Sequence, residues 1–338
     1  MNAMHISAPG QAGDALAFQP AVAKTPAGQF LVYMMRLVIF TDIDGSLLDF
    51  DSYEPGPALP ALEACRRAGV PVIPCTSKPS AEVIDLRTSL RLDTPYIVEN
   101  GAAIYIPADT PVAAAALRIA GTEEWNVSAA RSSEGESFTC LLFGSPRVRI
   151  VEALGEIAGE VGIEVRGISD MEVEEITART GLKSDQARAA KMREYSEPFI
   201  VTGERVPARS EERAALLELI VPSAVKRGLA CTLGGRFFHL QGRHSKGIAV
   251  GKVVMCYSNA LSYPTGSGTQ EGDLRFRTMA LGDAYNDAEM LASVDIPVLI
   301  RKPDGTFADG INLPGLVRTE GIGPQGWHEA VMRALEEL

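Results

Sequence analysis

Residues 36–41, Arg-Leu-Val-Ile-Phe-Thr, form an unbroken apolar and β-branched run that ends in Asp42-Ile43-Asp44-Gly45, and this junction restricts the fold more than any other segment. A run that is apolar at successive positions predicts a strand buried on both faces, as in the middle of a parallel sheet. In open α/β sheets of that kind, ligands bind beyond the carboxyl ends of the strands. Two carboxylates at alternating positions, with Gly45 to relieve the turn, therefore stand where a ligand would. One can attack phosphorus to form an acyl phosphate, while the other protonates the leaving oxygen and later deprotonates the hydrolytic water. For this motif alone, a solvated acidic turn is the competing reading.

The rest of the chain supplies the context. Residues 58–68 predict a helix, Gly69 a break, 70–75 a second buried strand, 80–90 a helix, and 96–101 a third short strand with a polar end. Alternating elements of this length imply parallel βαβ units and a doubly wound α/β sheet. Beyond about residue 108 the texture changes to an alanine-rich helix, a strand at 137–143, a helix at 147–161 and a charged helix at 187–195, which reads as a separate module ending in a strand at 236–241. A helix then resumes at 246–257, a Ser/Gly/Thr/Pro-rich insertion occupies 258–276, and 278–282 repeats the pattern of strand followed by acid. A helix at 286–293 and a strand at 297–300 follow. The amphipathic end, 321–338, reads as a docking helix, and residues 1–33 as a flexible extension.

Further residues with suitable chemistry fall at strand ends or helix starts. Thr76 offers a hydroxyl to a phosphate oxygen, and Ser77 and Lys78 extend that polar edge; alone, such a triplet is an ordinary helix-entry cap. Lys246 opens a helix after Gly242, where its ammonium would neutralise a phosphoryl oxygen, the competing reading being a solvated surface lysine. Asp283 and Asp287 add two carboxylates four positions apart. A hard Mg²⁺ favours such oxygen ligands, so Asp42, a backbone carbonyl and Asp283 suffice to hold it, with Asp287 direct or one shell removed; the candidate metal set is Asp42, Asp44, Asp283 and Asp287.

These four elements in this order resemble the haloacid dehalogenase superfamily of phosphotransferases. The resemblance makes Asp42 the nucleophile and Asp44 the general acid/base. Ser46 stands where that family usually has Thr, and Ser245 where Asp is common. Cys75-Thr-Ser-Lys78, Val98-Glu-Asn-Gly-Ala-Ala103, Thr180-Gly-Leu182, Arg193-Glu-Tyr-Ser-Glu-Pro-Phe199 and Val294-Asp-Ile-Pro-Val298 are similar to the mannosyl-3-phosphoglycerate phosphatase branch over about residues 36–305, apart from the insertion. The resemblance implies a core of residues 34–108 and 241–320 with an inserted α+β cap of the C2 type over 109–240. It also implies hydrolysis of a mannosyl- or glucosyl-3-phosphoglycerate to a glycosylglycerate in compatible-solute synthesis. Lys78, Glu99, Asn100 and Arg193 become candidate substrate contacts, with Arg193 offering a fork to a carboxylate or else pairing with Glu194 or Glu197. Another sugar-phosphate phosphatase, a phosphomutase and a non-catalytic interaction module remain as alternatives.

Composition narrows the partners. Lys and Arg number 32 against 43 Asp and Glu, and a net charge of -11 opposes the phosphate-backbone attraction on which nucleic-acid binders rely. A small anionic substrate remains possible, such as the phosphorylated sugar acid that the resemblance implies, because a local cation cluster and a metal can outweigh net charge. No apolar run approaches the ~20 residues of a membrane helix. Five scattered cysteines without a CxxC pair fit a reducing, cytoplasmic setting. Gly181-Leu-Lys-Ser184 lacks P-loop spacing. The four histidines are dispersed, with a packing role favoured for His244, and Trp125 and Trp327 read as packing residues.

Overall fold

The computed structural model describes residues 22–24, 30–32, 37–123, 125–132, 135–234, 236–261 and 276–338. At its centre is a five-stranded parallel sheet in the order Val317–Ile322, Ile296–Arg301, Arg277–Gly282, Leu37–Thr41, Val72–Pro74. Every residue of Leu37–Thr41 is buried, as its uninterrupted apolar run requires. Alternate side chains feed two cores. Leu37 and Ile39 pack with the helices Leu59–Ala68 and Gly323–Glu336, whereas Val38 and Phe40 pack with Lys246–Leu261, Pro111–Glu123 and Ala288–Ala292. Each large apolar side chain so buried contributes on the order of 1.5–3 kcal/mol. The terminal helix docks as its amphipathic pattern implies: Trp327 is fully buried, and its Nε1 donates to Thr41 Oγ1 at 2.9 Å.

The third strand, Tyr96–Val98, meets the parallel sheet through one bridge, Cys75 to Ile97, and then belongs to an antiparallel sheet with Ala103–Pro107, Ser137–Leu142 and Asn126–Arg131. The boundary expected at 108–109 falls between the strand Ala103–Pro107 of this sheet and the helix Pro111–Glu123. Ile104, Ile106, Ala113, Ala116, Ile119 and Leu141 lie in the same hydrophobic cluster as Phe40 and Val250, so the core continues through Leu142. The inserted cap runs from Arg147–Val161 to Phe238–Gly242. Its antiparallel sheet, ordered Leu229–Leu233, Phe238–Gly242, Ser196–Thr202, Glu164–Gly167, carries the helices Arg147–Val161 and Ser210–Lys226 on one face through Phe199, Val201, Phe238 and Leu240.

Local differences have local causes. The helix expected at 187–195 is Ser184–Ala190, because Arg147 donates to the carbonyls of Lys191 and Arg193 and holds 191–194 in a loop. The helix expected at 286–293 is a 3₁₀ turn, Tyr285–Asp287, followed by Ala288–Ala292. The helix beginning at Lys246 extends to Leu261, and most of the insertion, 262–275, lies outside the described residues. Most of the extension 1–33 also lies outside them; its described parts, Val22–Lys24 and Phe30–Val32, pair antiparallel. Among the described residues, no helix is long and apolar enough to cross a membrane. All five cysteines are buried free thiols.

Candidate active site

The strand Leu37–Thr41 delivers Asp42, and its parallel neighbour Arg277–Gly282 delivers Asp283, so register alone sets the two carboxylates side by side. Asp42 N also donates to Leu281 O at 2.9 Å. Gly45 adopts φ 79°, and a Cβ there would lie 2.8 Å from Asp283 Oδ2; the position requires glycine for both its backbone and its neighbour. Lys246, only 1% exposed, comes from the first position of its helix. Its Nζ donates to Asp42 Oδ1 at 2.7 Å and Asp287 Oδ1 at 2.6 Å. Ser245, in place of the more usual Asp, caps that helix by accepting from Ile248 N at 3.3 Å, a task that both side chains perform.

Charge is concentrated here. Burial, then the proximity of Asp287 and Asp283, holds the Asp42 carboxyl well above the usual range against the opposing pull of Lys246. Burial and Asp287 push Asp283 up to about 7. Burial alone would lower Lys246, but Asp287 and Asp42 together hold it above its ordinary value. Ligand oxygens of Asp42, Asp283 and Asp287 lie within 4.8 Å of one another. Three buried carboxylates against one ammonium leave a surplus of negative charge, and the donors are all oxygen. That set fits a hard divalent cation.

The four carboxylates expected as metal ligands are not equivalent. Asp287 Oδ2 accepts from Asp283 N at 3.1 Å and Ala284 N at 3.0 Å while Oδ1 holds Lys246, so both of its oxygens are engaged. Asp44 is turned from the cluster: its Oδ2 lies 3.0 Å from Lys78 Nζ, and its Oδ1 is buried without a hydrogen-bond partner. Thr76 Oγ1 accepts from Lys78 N at 3.1 Å, a turn rather than a helix cap, since the helix starts only at Ser80. Lys78 also meets Glu82 at 3.0 Å. Two carboxylates therefore raise its ammonium above its ordinary value despite burial, and it braces Asp44 instead of standing free for a substrate.

Glu99 and Asn100 occupy a strained turn with φ of 46° and 58°. Glu99 is not free for substrate. Its carboxylate accepts from Glu194 N at 2.7 Å, Tyr195 N at 3.2 Å and the Ser196 hydroxyl, so it clasps the cap backbone. Asn100 Nδ2 donates to Gln241 Oε1 at 3.2 Å across the same seam. Arg193 pairs with neither Glu194 nor Glu197. Its Nη1 donates to Ser77 O at 2.9 Å and to Ser196 Oγ at 3.2 Å, which leaves Nε buried without a partner. Glu197 is fully buried and instead takes Arg147 Nε at 2.6 Å and Ser169 N and Oγ, each at 2.8 Å. Arg147 and Gln241 carry no sequence signal of their own. Glu197 did, within Arg-Glu-Tyr-Ser-Glu-Pro-Phe, but its partner lies 50 residues away.

Residues 39–124 match the haloacid dehalogenase-like hydrolase family. The chain is 35% identical over 298 residues to the glucosyl-3-phosphoglycerate/mannosyl-3-phosphoglycerate phosphatase of Methanococcoides burtonii, a match covering 88% of this chain and 97% of that one. A protein of the same name from Persephonella marina is 33% identical over 303 residues, covering 89% and 98%. A haloacid dehalogenase-like hydrolase from Bacteroides thetaiotaomicron shares the fold, with a TM-score of 0.53 at 12% identity over 88% of this chain and 99% of that one. Identity of this order along nearly the whole chain, on a fold of this class, means that the protein belongs to the glucosyl-3-phosphoglycerate/mannosyl-3-phosphoglycerate phosphatase family of haloacid dehalogenase-like hydrolases.

Proposed function

We propose that the protein hydrolyses a glycosyl-3-phosphoglycerate, glucosyl or mannosyl, to the glycosylglycerate and phosphate through an aspartyl-phosphate on Asp42. The observation that carries this reading is the grouping of Asp42, Asp283 and Lys246 at the carboxyl ends of parallel strands beneath a clasped cap. An oxygen of Asp42 attacks phosphorus, the ester bond to the glycerate oxygen breaks, and Asp44 gives that oxygen its proton. Water then attacks the phosphorus of the acyl phosphate, Asp44 takes the proton, and the bond to Asp42 breaks to free phosphate. Lys246 orients Asp42 and, with Thr76, offers donors to the phosphoryl oxygens.

Asp42, Asp283 and the backbone of Asp44 would hold Mg²⁺, with Asp287 fixing Lys246 and the Asp283 loop. Bound there, Mg²⁺ supplies positive charge to offset that of the phosphoryl group. Arg193 supports the choice of substrate: its unpaired Nε, next to the site through Ser77, suits the glycerate carboxylate, which hexose phosphates lack. A charged hydrogen bond of this kind contributes ~1.5–3 kcal/mol, a preference of roughly ten- to more than a hundredfold.

Phosphate release from mannosyl- and glucosyl-3-phosphoglycerate, compared with mannose 6-phosphate and glucose 6-phosphate, tests the reading. The glycosyl phosphoglycerates should be hydrolysed far more efficiently, and Arg193→Ala should narrow that gap while sparing a small artificial phosphate ester. Preference for a hexose phosphate would leave a phosphatase with another substrate. Return of the phosphoryl group to a sugar would indicate a mutase.

A further inference from the structure

The two faces of the strand Phe238–Gly242 differ in kind. Phe238 and Leu240 are buried against the cap helices. His239 and Gln241 alternate with them and occupy the opposite face, and Gln241 meets Asn100 of the core there. Across the sheet, Ser196 is the register partner of Gln241 and Pro198 that of His239, with Ala230 and Thr232 opposite them on the other side. Ser196 on this face is joined to Arg193 and to Glu99. Ile200, two residues beyond Pro198 on this face, packs with the helices Val173–Thr180 and Ser184–Ala190, so the face is shared between those helices and the seam with the core, and His239 stands one pleat repeat, about 7 Å, from the seam at Gln241.

The ring of His239 makes no hydrogen bond or ion pair among the described residues, and the residue is half-buried. Its surroundings decide its chemistry. Burial, with Arg193 and Arg213 close by, lowers its pKa to about 3, so the ring is neutral. A neutral imidazole offers one donor and one acceptor and cannot compete with Arg193 for a carboxylate. It matches a sugar hydroxyl, which both gives and takes a hydrogen bond.

We propose that His239 contacts a hydroxyl of the glycosyl ring and sets the preference for a glycosylated over a bare phosphoglycerate. This rests on the substrate reading above. Arg193 takes the carboxylate near the seam, and the ring extends along Phe238–Gly242 towards Thr232, an exposed hydroxyl beside His239.

The test is steady-state kinetics of the wild type, His239→Ala and His239→Gln on mannosyl- or glucosyl-3-phosphoglycerate and on 3-phosphoglycerate. His239→Ala should raise KM for the glycosylated ester about five- to tenfold, the contribution of a neutral hydrogen bond or two, and leave KM for 3-phosphoglycerate within about twofold. His239→Gln, which keeps a donor and an acceptor, should recover most of the loss. Unchanged 3-phosphoglycerate kinetics also show that the variant is folded. If the wild type prefers the glycosylated ester and His239→Ala affects both substrates equally or neither, His239 is a packing residue and the proposal fails alone. If the wild type shows no preference for the glycosylated ester, the substrate reading fails and this assignment with it.

Discussion

Asp287 and Lys246 form the innermost contact of the site: 2.6 Å between Oδ1 and Nζ, with neither side chain reached by solvent. The other Asp287 oxygen holds two backbone N–H groups of the Asp283 loop. Removing it leaves the buried ammonium with Asp42 as its remaining carboxylate and two backbone donors without their acceptor. Asp287→Ala should therefore destabilise the fold by about 3–5 kcal/mol, and Asp287→Asn by less, read from urea unfolding midpoints. A shift under about 1 kcal/mol for the alanine variant would show that Asp42 alone suffices to hold Lys246.

Asp42→Asn separates chemistry from stability. The carboxylate is disfavoured by burial and by two neighbouring acids, so an amide of the same shape relieves repulsion while removing the proposed nucleophile. Turnover should fall by several powers of ten with the melting temperature unchanged or raised. Near-normal phosphate release would refute the assignment of Asp42.

Chelation by EDTA should abolish phosphate release, and added Mg²⁺ should restore it. Because the cation would offset the surplus charge of Asp42 and Asp283, Mg²⁺ should also raise the melting temperature of the wild type, and much less that of Asp283→Asn. Full activity in EDTA would overturn the metal reading.

The clasp at Glu99 ties catalysis to cap position. Glu99→Ala leaves the N–H groups of Glu194 and Tyr195 without their acceptor, at a cost of about 3 kcal/mol. It should lower kcat/KM for the glycosylated ester at least tenfold, and Glu99→Gln should lie between. Equal kinetics for wild type and Glu99→Ala would mean that the cap is held without it.

A further test concerns acid. His244 Nε2 donates to Glu99 O at 3.1 Å, and burial lowers its pKa from about 6.5 to about 4. Between those values the unfolded chain binds a proton that the folded one refuses. Stability from this group is thus complete above about pH 6.5 and is lost as pH falls towards 4, a decline of about 2 kcal/mol by pH 4.5. His244→Gln should lose correspondingly less between pH 7.5 and 4.5 in urea unfolding; parallel losses would acquit His244.

What the sequence shows here depends on how locally each feature is encoded. The strands ending at Thr41 and Gly282 are continuous apolar runs followed by acids, and runs of that kind are legible without tertiary knowledge. Asn126–Arg131 is not, because its residues are mostly exposed and carry no alternation. The change of texture at about residue 108 has a related cause. An alanine-rich stretch reads as a change of texture, yet Ala113 and Ala116 are small because that helix packs closely on Lys246–Leu261. Asp42 and Asp283 stand just beyond strand ends and Lys246 opens a helix, positions that are legible in the sequence. That Glu99 holds cap backbone, that Lys78 braces Asp44 and that Glu197 belongs to Arg147 all depend on where distant loops meet. No spacing encodes that.

The hydrogen bond from Trp327 to Thr41 joins residues 286 positions apart, and the strand Leu37–Thr41 also pairs with Arg277–Gly282. Asp42 therefore leaves the ribosome long before either support exists. A chain made from its N-terminus carries an apolar strand with one unfilled edge until Arg277–Gly282 is made, and contacts of this separation close slowly. The setting of Asp42 is thus completed only when Arg277–Gly282 and Trp327 have both been made.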